Sequence, residues 1–320
     1  MQKLTEQQEA ELFTSISGKG EVPLKFNYIT KEGAEYWVET VESERNPKKG
    51  HIASFEYGLL QDNSEFLLRN LTQNGKNVNV LDLGCGDGLP CVPILEKAAE
   101  LSLNVRYVPV DISQELLDVA SKNIKKRFPN IKIKKVLLDF DQGSFAQTTS
   151  ELRRDNFVNM LCFLGSTLGN FSNTDRILSN FRDSMTASDY LIIGIQLANL
   201  LKMEKTIEFY KTEPVRRLTF ALLKSYGVTR ESGTFDTTFN KELSQIEERF
   251  ILNRNIKLKI GPESVNLEKG ESLLLFRSRK FTQWNLQKII SDVGYRLDTV
   301  KTGKDASYEL IMCQPVRYLF

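Results

Sequence analysis

From residue 78 onward the chain alternates short apolar runs with amphipathic stretches, and this alternation constrains the fold more than any other feature. The apolar runs are too short for helices and rich in β-branched residues: "VNVLDLG", "VRYVPVD", "IKKVLLDF", "NMLCFLG" and "YLIIGIQ". The stretches between them, such as "SQELLDVASKNIKKRF", repeat apolar residues with helical periodicity. Strands alternating with helices predict a parallel sheet covered on both faces, which is a doubly wound, Rossmann-like α/β fold.

The rest of the chain differs in character and predicts a second, smaller α+β lobe. Residues 1–75 and 198–245 are charged and have helical periodicity. Residues 246–281 alternate like antiparallel strands, and the C-terminal segment predicts a helix and an antiparallel pair, so the last strand of the main sheet is expected to be antiparallel. We predict one domain from residues 61–196 and 282–320, and a lobe from residues 1–60 and 197–281.

Composition and charge narrow the range of functions. The chain is 41% hydrophobic and 26% charged, with a formal net charge of +2, which gives no electrostatic reason to expect nucleic acid or membrane as a partner. We find no signal peptide and no uncharged apolar run of the roughly 18 residues that a membrane span needs. The 4 cysteines are scattered and His51 is the single histidine. The cysteine usage and the lone histidine predict a cytoplasmic protein that holds no metal, and we also expect a monomer with a small-molecule substrate.

The stretch "VLDLGCGDG", residues 80–88, is the first motif that carries chemistry. An apolar strand ends at Leu83, and glycines follow at positions 84, 86 and 88. Glycine permits a tight strand-to-helix turn and lets a ligand lie against bare backbone. The spacing Gly-x-Gly-x-Gly differs from the Gly-x-Gly-x-x-Gly of dinucleotide folds, and an acid, Asp82, stands two residues before Gly84. The motif predicts that Asp82, Gly84, Gly86 and Gly88 bind a cofactor.

The next two strands end in residues that suit an adenosine. Asp111 ends "YVPVD", where a carboxylate can hold both hydroxyls of a ribose, although "DISQE" would also make a helix cap. Asp139 and Phe140 end the third run and suit the amino group and the ring of adenine. Together these strand ends are similar to the S-adenosylmethionine (SAM) site of class I methyltransferases, and a dehydrogenase is the remaining alternative.

The nonapeptide "FLGSTLGNF", residues 163–171, follows the fourth strand and holds no charge. It closely resembles the "FLGS-(S/T)-x-GNF" signature of the histidine-specific methyltransferase family, whose members trimethylate the α-amine of histidine; fungal relatives methylate the amine of a prenylated tryptophan. The segments "LKFNYITKEGAEYW" and "GESLLLFRSRKFT" are similar to two further family motifs. The resemblance covers nearly the whole chain and implies a SAM-dependent N-methyltransferase of the class I fold.

The resemblance also implies roles for single residues. Asn170 would hydrogen-bond the substrate carboxylate or amine, and Gly165 would leave room beside the sulfonium. Tyr28 would reach both the cofactor and the substrate amine. Tyr210 falls where the family places a tyrosine on the carboxylate, and Ser278 where it has a serine near the amine or side chain. For Tyr210 simple helix packing, and for Ser278 an ordinary strand position, remain open.

Two departures from the family concern the substrate. A glutamate that binds the imidazole in the histidine enzymes is replaced by Phe276, and a nearby methionine aligns roughly with Leu258. A phenyl ring cannot accept a hydrogen bond, so a buried imidazole N–H would stay unpaired at a cost of about 1–3 kcal/mol. We therefore predict that Phe276 and Leu258 bind the substrate and that the substrate is not histidine. An apolar or aromatic substrate side chain suits these two residues, while Arg277 and Arg279 leave a polar or acidic group open.

Catalysis by such an enzyme consists mostly of aligning a neutral amine behind the reactive methyl group, with Asn170 and Tyr28 as the predicted catalytic residues. Water or a tyrosine hydroxyl is expected to accept the proton, since no histidine is at hand. Three alternatives stay open: a histidine Nα-methyltransferase, a methyltransferase of RNA or protein for which the basic residues 125–135 are the only pointer, and a non-catalytic SAM-binding protein.

Overall fold

The structure is a computed structural model that describes residues 4–44, 52–72, 77–199, 203–303 and 306–316. Contacts divide the chain into two compact units. The first, here called the α+β unit, joins Met1–Ser43 to Asn199–Lys280. The second, here called the α/β unit, joins Glu44–Ala198 to Phe281–Phe320.

The described helices and strands follow the chain in this order. The helices are α1 (Glu6–Lys19), α2 (Lys25–Ile29), α3 (Lys31–Glu44), α4 (Ile52–Thr72), α5 (Val92–Glu100), α6 (Gln114–Arg127), α7 (Ala146–Leu152), α8 (Thr174–Asp183), α9 (Met203–Tyr210), α10 (Glu213–Thr219), α11 (Ala221–Ser225) and α12 (Gln283–Asp292). The strands are β1 (Asn77–Leu83), β2 (Val105–Asp111), β3 (Lys132–Ile133), β4 (Val136–Leu137), β5 (Phe157–Phe163), β6 (Tyr190–Gln196), β7 (Gly233–Asn240), β8 (Gln245–Leu252), β9 (Ile256–Ile260), β10 (Glu263–Leu267), β11 (Ser272–Arg279), β12 (Tyr295–Thr302) and β13 (Tyr308–Pro315).

The α/β unit is built on one mixed sheet with the strand order β12-β13-β6-β5-β1-β2-β3. Strands β6, β5, β1, β2 and β3 run parallel to one another, whereas β13 runs antiparallel to β6 and to β12. The predicted doubly wound α/β sheet with an antiparallel last strand is confirmed. Because successive parallel strands end at the same edge, the loops after β1, β2 and β5 emerge on one side of the sheet.

Helices cover both faces of this sheet, and each face has its own apolar core. Side chains of α7, α8 and α12 pack on one face, for example Leu152, Phe181 and Leu286. Side chains of α4, α5 and α6 pack on the other, for example Leu67 and Ile94. Burial on both faces explains why the strands read as nearly continuous apolar runs.

The third predicted strand is wrong in its extent. The run "IKKVLLDF" forms only the short strands β3 and β4, each of which pairs with β2. Lys134 and Lys135 interrupt the run, and both are exposed. Lys135 pairs with Asp118 on α6 at 2.6 Å, so its charge lies on the surface. Asp139 consequently follows an irregular segment and not the end of a long strand.

The first predicted domain boundary, between residues 60 and 61, falls inside α4, and the structure divides the chain at Ser43 and Glu44 instead. Helix α4 packs through Leu60, Leu67 and Leu68 into the core of the α/β unit, so this helix cannot be split between two units. The other predicted boundaries differ from the observed ones by one or two residues. Which ligand each unit binds stays a prediction.

The α+β unit contains a three-stranded antiparallel sheet in the order β11-β8-β7 and a separate pair, β9 with β10. The antiparallel strands expected within residues 246–281 are therefore present. Strand β7 lies within residues 198–245, which we expected to be helical. In "GTFDTTFN" every second position holds an aromatic or β-branched residue, namely Phe235, Thr237 and Phe239. This period of two favours a strand despite the charged surroundings.

Local signals explain where several helices begin and end. Helix α1 starts with a capping box between Thr5 and Gln8 and ends at Gly20, which adopts a left-handed conformation with φ of 59°. Helix α6 is capped by Ser113. No helix within the described ranges is long and apolar enough to cross a membrane.

Candidate functional site

The glycine loop leaves β1 in backbone conformations that favour glycine. Gly84 has φ of 67° and Gly88 has φ of 77°. A Cβ at Gly88 would lie 2.8 Å from the hydroxyl of Tyr107 and 3.3 Å from Cα of Ala120, so no larger residue fits there. A Cβ at Gly84 would meet only Thr167 and Phe140, at 3.8 and 3.9 Å. The loop thus packs tightly at Gly88 and keeps bare backbone at Gly84.

Asp111 ends β2 and faces the glycine loop. Its carboxylate accepts hydrogen bonds from the backbone N–H of Ser113 at 3.0 Å and of Gly86 at 3.4 Å. Burial raises the pKa of Asp111 to about 6, although these backbone donors favour the charged form. The N-cap of α6 is Ser113, whose hydroxyl accepts from Leu116, so Asp111 is not itself the cap. Asp111 therefore joins the loop after β2 to the glycine loop.

Asp82 lies within β1, beneath the glycine loop. The hydroxyl of Tyr107 donates to its carboxylate at 2.7 Å. Burial raises the pKa of Asp82 to about 7. Because the same hydroxyl is the atom nearest to a Cβ at Gly88, Asp82 holds Tyr107 against the turn. Its predicted contact with a cofactor stays a prediction.

Asp139 and Phe140 stand near the first glycine. The carboxylate of Asp139 accepts from the backbone N–H of Asp141 at 3.1 Å. The ring of Phe140 packs against those of Phe163, Phe171 and Phe181, with centroids 5.4 to 6.0 Å apart. The two phenylalanines that flank the nonapeptide thus join Phe140 in one aromatic cluster. Apolar cover for a planar ring is available beside Gly84.

The nonapeptide continues β5 into a strained turn. Ser166 has φ of 61°, which is uncommon outside glycine. Its hydroxyl accepts from the backbone N–H of Gln196 at 2.8 Å, and its own N–H donates to the carbonyl of Gly194 at 3.1 Å. A 3₁₀ turn from Thr167 to Asn170 follows. Asn170 is half-buried, and no described residue hydrogen-bonds its side-chain amide.

A buried carboxylate that sequence reasoning missed holds this turn in place. Glu56, on α4, accepts from the backbone N–H of Gly165 at 2.8 Å and from the hydroxyl of Tyr308 on β13. Both side chains are buried. The only signal in the sequence was a lone acid in the apolar stretch "IASFEYGLL". Glu56 thus connects α4, the nonapeptide and the last strand.

Tyr28 lies half-buried on α2 of the α+β unit, beside residues that fix the helix. The side-chain oxygen of Asn27 accepts from the backbone N–H of Leu222 at 2.8 Å, which ties α2 to α11. Phe26 and Ile29 are buried on either side. The short helix is therefore anchored by its neighbours in sequence, while the catalytic role of Tyr28 stays a prediction.

Three of the predicted substrate residues come together in the α+β unit. The hydroxyl of Tyr210, on α9, donates to that of Ser278, on β11, at 3.1 Å. The rings of Tyr210 and Phe276 have centroids 4.8 Å apart. Lys280, which sequence reasoning missed, donates to the hydroxyl of Ser278 at 2.9 Å. Tyr210 and Ser278 thus form a hydrogen-bonded pair, and their roles toward a substrate stay predictions.

Leu258 is buried on β9, where it pairs with Val265 of β10. It thus belongs to the two-stranded sheet, whereas Phe276 belongs to the three-stranded one. The common pocket that we predicted for these two residues stays a prediction.

Three of the six basic side chains in the stretch 125–135 are engaged within the α/β unit. Lys125 donates to the carbonyls of Pro129 and Ile131, and Lys135 pairs with Asp118. Arg127 lies 3.8 Å from Glu96. These contacts favour a solvated helix end over a nucleic-acid surface.

The cysteines and acids form no metal site among the described residues. Cys85, Cys91, Cys162 and Cys313 are free and buried.

Comparison with known families gives a match over most of the chain. The family described as "Histidine-specific methyltransferase, SAM-dependent" matches residues 19–315. The chain is 28% identical to the histidine N-alpha-methyltransferase of Mycolicibacterium smegmatis over 231 residues, which cover 68% of this chain and 69% of that protein. It is 22% identical to the N-methyltransferase imqF of Aspergillus flavus over 271 residues, which cover 79% and 71%.

Among solved structures, the chain is similar to the magnesium protoporphyrin IX methyltransferase of Synechocystis PCC 6803, determined with bound SAH. The TM-score is 0.49 at 11% identity, and the match covers 90% of this chain and 97% of that one.

Proposed function

Because the chain belongs to the family of histidine-specific, SAM-dependent methyltransferases, we propose that it methylates the α-amine of a free amino acid or related small amine other than histidine. The family and its named relatives make the protein a SAM-dependent N-methyltransferase with SAM as cofactor. The substrate and the roles of single residues are our proposal.

The edge of the sheet in the α/β unit fits SAM. Bare backbone at Gly84 suits a closely apposed ligand, and the buried carboxylate of Asp111 suits the hydroxyls of a ribose. Phe140 offers an apolar face, and Asp139 an acceptor, for adenine. Asp82 supports the loop through Tyr107. SAM, when bound, supplies an activated methyl group.

Asn170 carries the proposal for the amine. Its amide has no hydrogen-bond partner among the described residues, although it sits on a turn fixed by Ser166 and Glu56. An amide offers both a donor and an acceptor, so it can orient an amino group or a carboxylate. Rigid support suits a reaction whose rate depends on alignment. Tyr28 supplies a hydroxyl that can take the proton of the amine, directly or through water.

Phe276 is the observation that supports a substrate other than histidine. Its register partner on β8 is an acid, Glu248, the one acidic residue that stands opposite Phe276 in this strand pair. That carboxylate is fully buried and already accepts from Thr219 at 2.6 Å and pairs with Arg216 at 3.4 Å. An imidazole beside Phe276 would have to compete with those partners. An apolar or aromatic side chain avoids this cost.

Arg277 does not make this cluster basic. Successive residues of a strand point to opposite faces, so Arg277 faces away from Phe276 and Ser278. Its guanidinium pairs with Glu21. The positive charge of Arg277 is therefore already paired and offers little attraction to an acidic substrate side chain.

The proposal is tested by incubating the protein with labelled SAM and a panel of amino acids and amines, followed by mass spectrometry. We expect methylation of an amine with an apolar or aromatic side chain, and histidine turnover at least about 10-fold weaker. Histidine as the best substrate would overturn the reading of Phe276. No methylation of any amine, despite SAM binding, would overturn the proposed function.

A substitution sharpens this test. Phe276→Glu restores an acceptor, and we expect it to raise kcat/KM for histidine relative to the preferred amine by about 10-fold. Phe239→Glu, at a half-buried position of β7 in the same sheet, is the matched control and should leave that ratio unchanged. An equal change of the ratio in both variants would contradict a role in selectivity.

A further inference from the structure

A buried cation lies among the predicted substrate residues of the α+β unit. Only 3% of Lys280 is exposed. Its ammonium donates to the hydroxyl of Ser278 at 2.9 Å, reaches the hydroxyl of Tyr210 at 3.5 Å and lies 5.6 Å from the centre of the Tyr210 ring. Burying a lysine is expensive unless its donors are satisfied. The contacts that satisfy it include both of these hydroxyls.

The hydrogen-bond arithmetic of Ser278 follows from these contacts. A serine hydroxyl has two lone pairs and one hydrogen. Tyr210 and Lys280 both donate to its oxygen, so both lone pairs are occupied. The hydroxyl hydrogen of Ser278 remains available for donation, and no described residue accepts it. Ser278 can therefore serve a ligand only as a donor.

We propose that Lys280 is a positioning residue that makes Ser278 a donor toward an acceptor group of the substrate, an oxygen with full or partial negative charge such as a carboxylate. The nearby positive charge favours such an acceptor and disfavours a protonated amine at the same place. This inference rests on the proposed function, since it assigns one part of the amine substrate to this cluster.

The geometry also indicates what surrounds the acceptor. Phe276, Ser278 and Lys280 occupy alternate positions, so they share one face of β11 and its continuation. The ring of Phe276 lies beside that of Tyr210, and Tyr210 is half-buried. An apolar body next to a charged acceptor fits this face.

The experiment compares three related substrates: the preferred amino acid, its carboxamide and its decarboxylated amine. With the wild-type protein we expect KM to rise about 10- to 100-fold when the carboxylate is replaced by a hydrogen, with the carboxamide in between. In Lys280→Met and in Ser278→Ala the preference for the carboxylate should shrink to within about threefold, with kcat changed much less than KM. The double variant should be no worse than either single one, because the two residues act as one unit.

The controls separate this role from a merely structural one. Lys211→Met removes an exposed lysine next to Tyr210 that pairs with Glu208, and it should keep the full preference. Lys280→Arg retains the positive charge and should keep most of the preference for the carboxylate. SAM affinity by calorimetry should be unchanged in every variant that folds. If Lys280→Met does not fold, Ser278→Ala and the wild-type substrate series decide.

Equal KM values of the wild-type protein for the three substrates would overturn the inference, and so would a preference that survives both Lys280→Met and Ser278→Ala. Neither result would touch the proposed function, which fails only if the wild-type protein methylates no amine or prefers histidine.

Discussion

The two units carry their candidate functional groups in different ways. In the α/β unit the groups follow successive strand ends, and several depend on backbone conformation, such as the turn at Gly88 and the turn at Ser166. In the α+β unit, Tyr210, Ser278 and Lys280 are side chains that meet across a long stretch of sequence. Backbone-defined sites tolerate few replacements, whereas a cluster of side chains can change its selectivity through one substitution, as we propose for Phe276.

The largest expected effect concerns Asn170, which lies in the α/β unit and which we propose to bind the substrate. Asn170→Ala should lower kcat/KM by about 100- to 1,000-fold through lost alignment, while SAM affinity changes by less than about threefold. Steady-state kinetics and calorimetry measure the two quantities. Asn130→Ala, at an exposed position, is the control. A loss of SAM affinity as large as the loss of activity would contradict the separation.

The glycine loop gives the next effect. Gly88→Ala should lower the free energy of unfolding by about 2–4 kcal/mol, because strain at positive φ adds to the clash with Tyr107. Gly227→Ala in the α+β unit isolates the strain, since φ is +82° but nothing lies within 4 Å, and should cost only about 1–2 kcal/mol. Urea unfolding followed by circular dichroism compares them. Equal losses would show that the clash is relieved without cost.

An effect confined to the α+β unit is expected at Asn27. Asn27→Ala leaves the backbone N–H of Leu222 without its acceptor, at a cost of about 1–3 kcal/mol in unfolding free energy. SAM affinity should not change, and calorimetry tests this. Asn266→Ala, exposed on β10, is the control. A parallel loss of SAM affinity would break the comparison between the units.

The smallest effect is a pH dependence set by Asp111, whose pKa is about 6. In the proposed site the ribose hydroxyls of SAM donate to the charged form of Asp111, so SAM affinity should be constant above about pH 7 and fall about tenfold per pH unit below pH 6. In the protein without SAM, the folding stability depends on pH in the opposite direction to the SAM affinity. The folded pKa exceeds the unfolded one, so the stability contribution of the protonated form is present below about pH 4 and lost as pH rises through about 6. Asp111→Asn should abolish this pH dependence of affinity; an unchanged profile would exclude Asp111 as the titrating group.

Much of the α/β unit could be predicted from the sequence because its signals are local. Nearly continuous apolar runs follow from strands that are buried on both faces. The glycine spacing and the acid at the end of "YVPVD" mark the carboxyl ends of those strands, where a ligand binds in such folds. The third strand failed where two adjacent lysines interrupted the run. The boundary at residue 60 failed because α4 is amphipathic, and the sequence does not say which core its apolar face joins.

The α+β unit was harder to predict because its key contacts are not local. Nothing near Lys280 in the sequence indicates that it meets Tyr210. The contact of Glu56 with Gly165 in the α/β unit was missed for the same reason. The family resemblance supplied Tyr210 and Ser278, but a list of matched positions contains no hydrogen-bond directions. Strand β7 was missed because charged flanks suggested a helix.

The interleaving of the two units has a consequence for biosynthesis. Each unit is assembled from two separate stretches of chain, and the second stretch of the α+β unit ends at Lys280. Helix α2 leaves the ribosome long before α11, whose backbone it binds through Asn27, and β6 must wait for β13 before its open edge is paired. Each unit can therefore finish folding only after its second stretch has been synthesised, and the edge of β6 that pairs with β13 stays exposed in the interval.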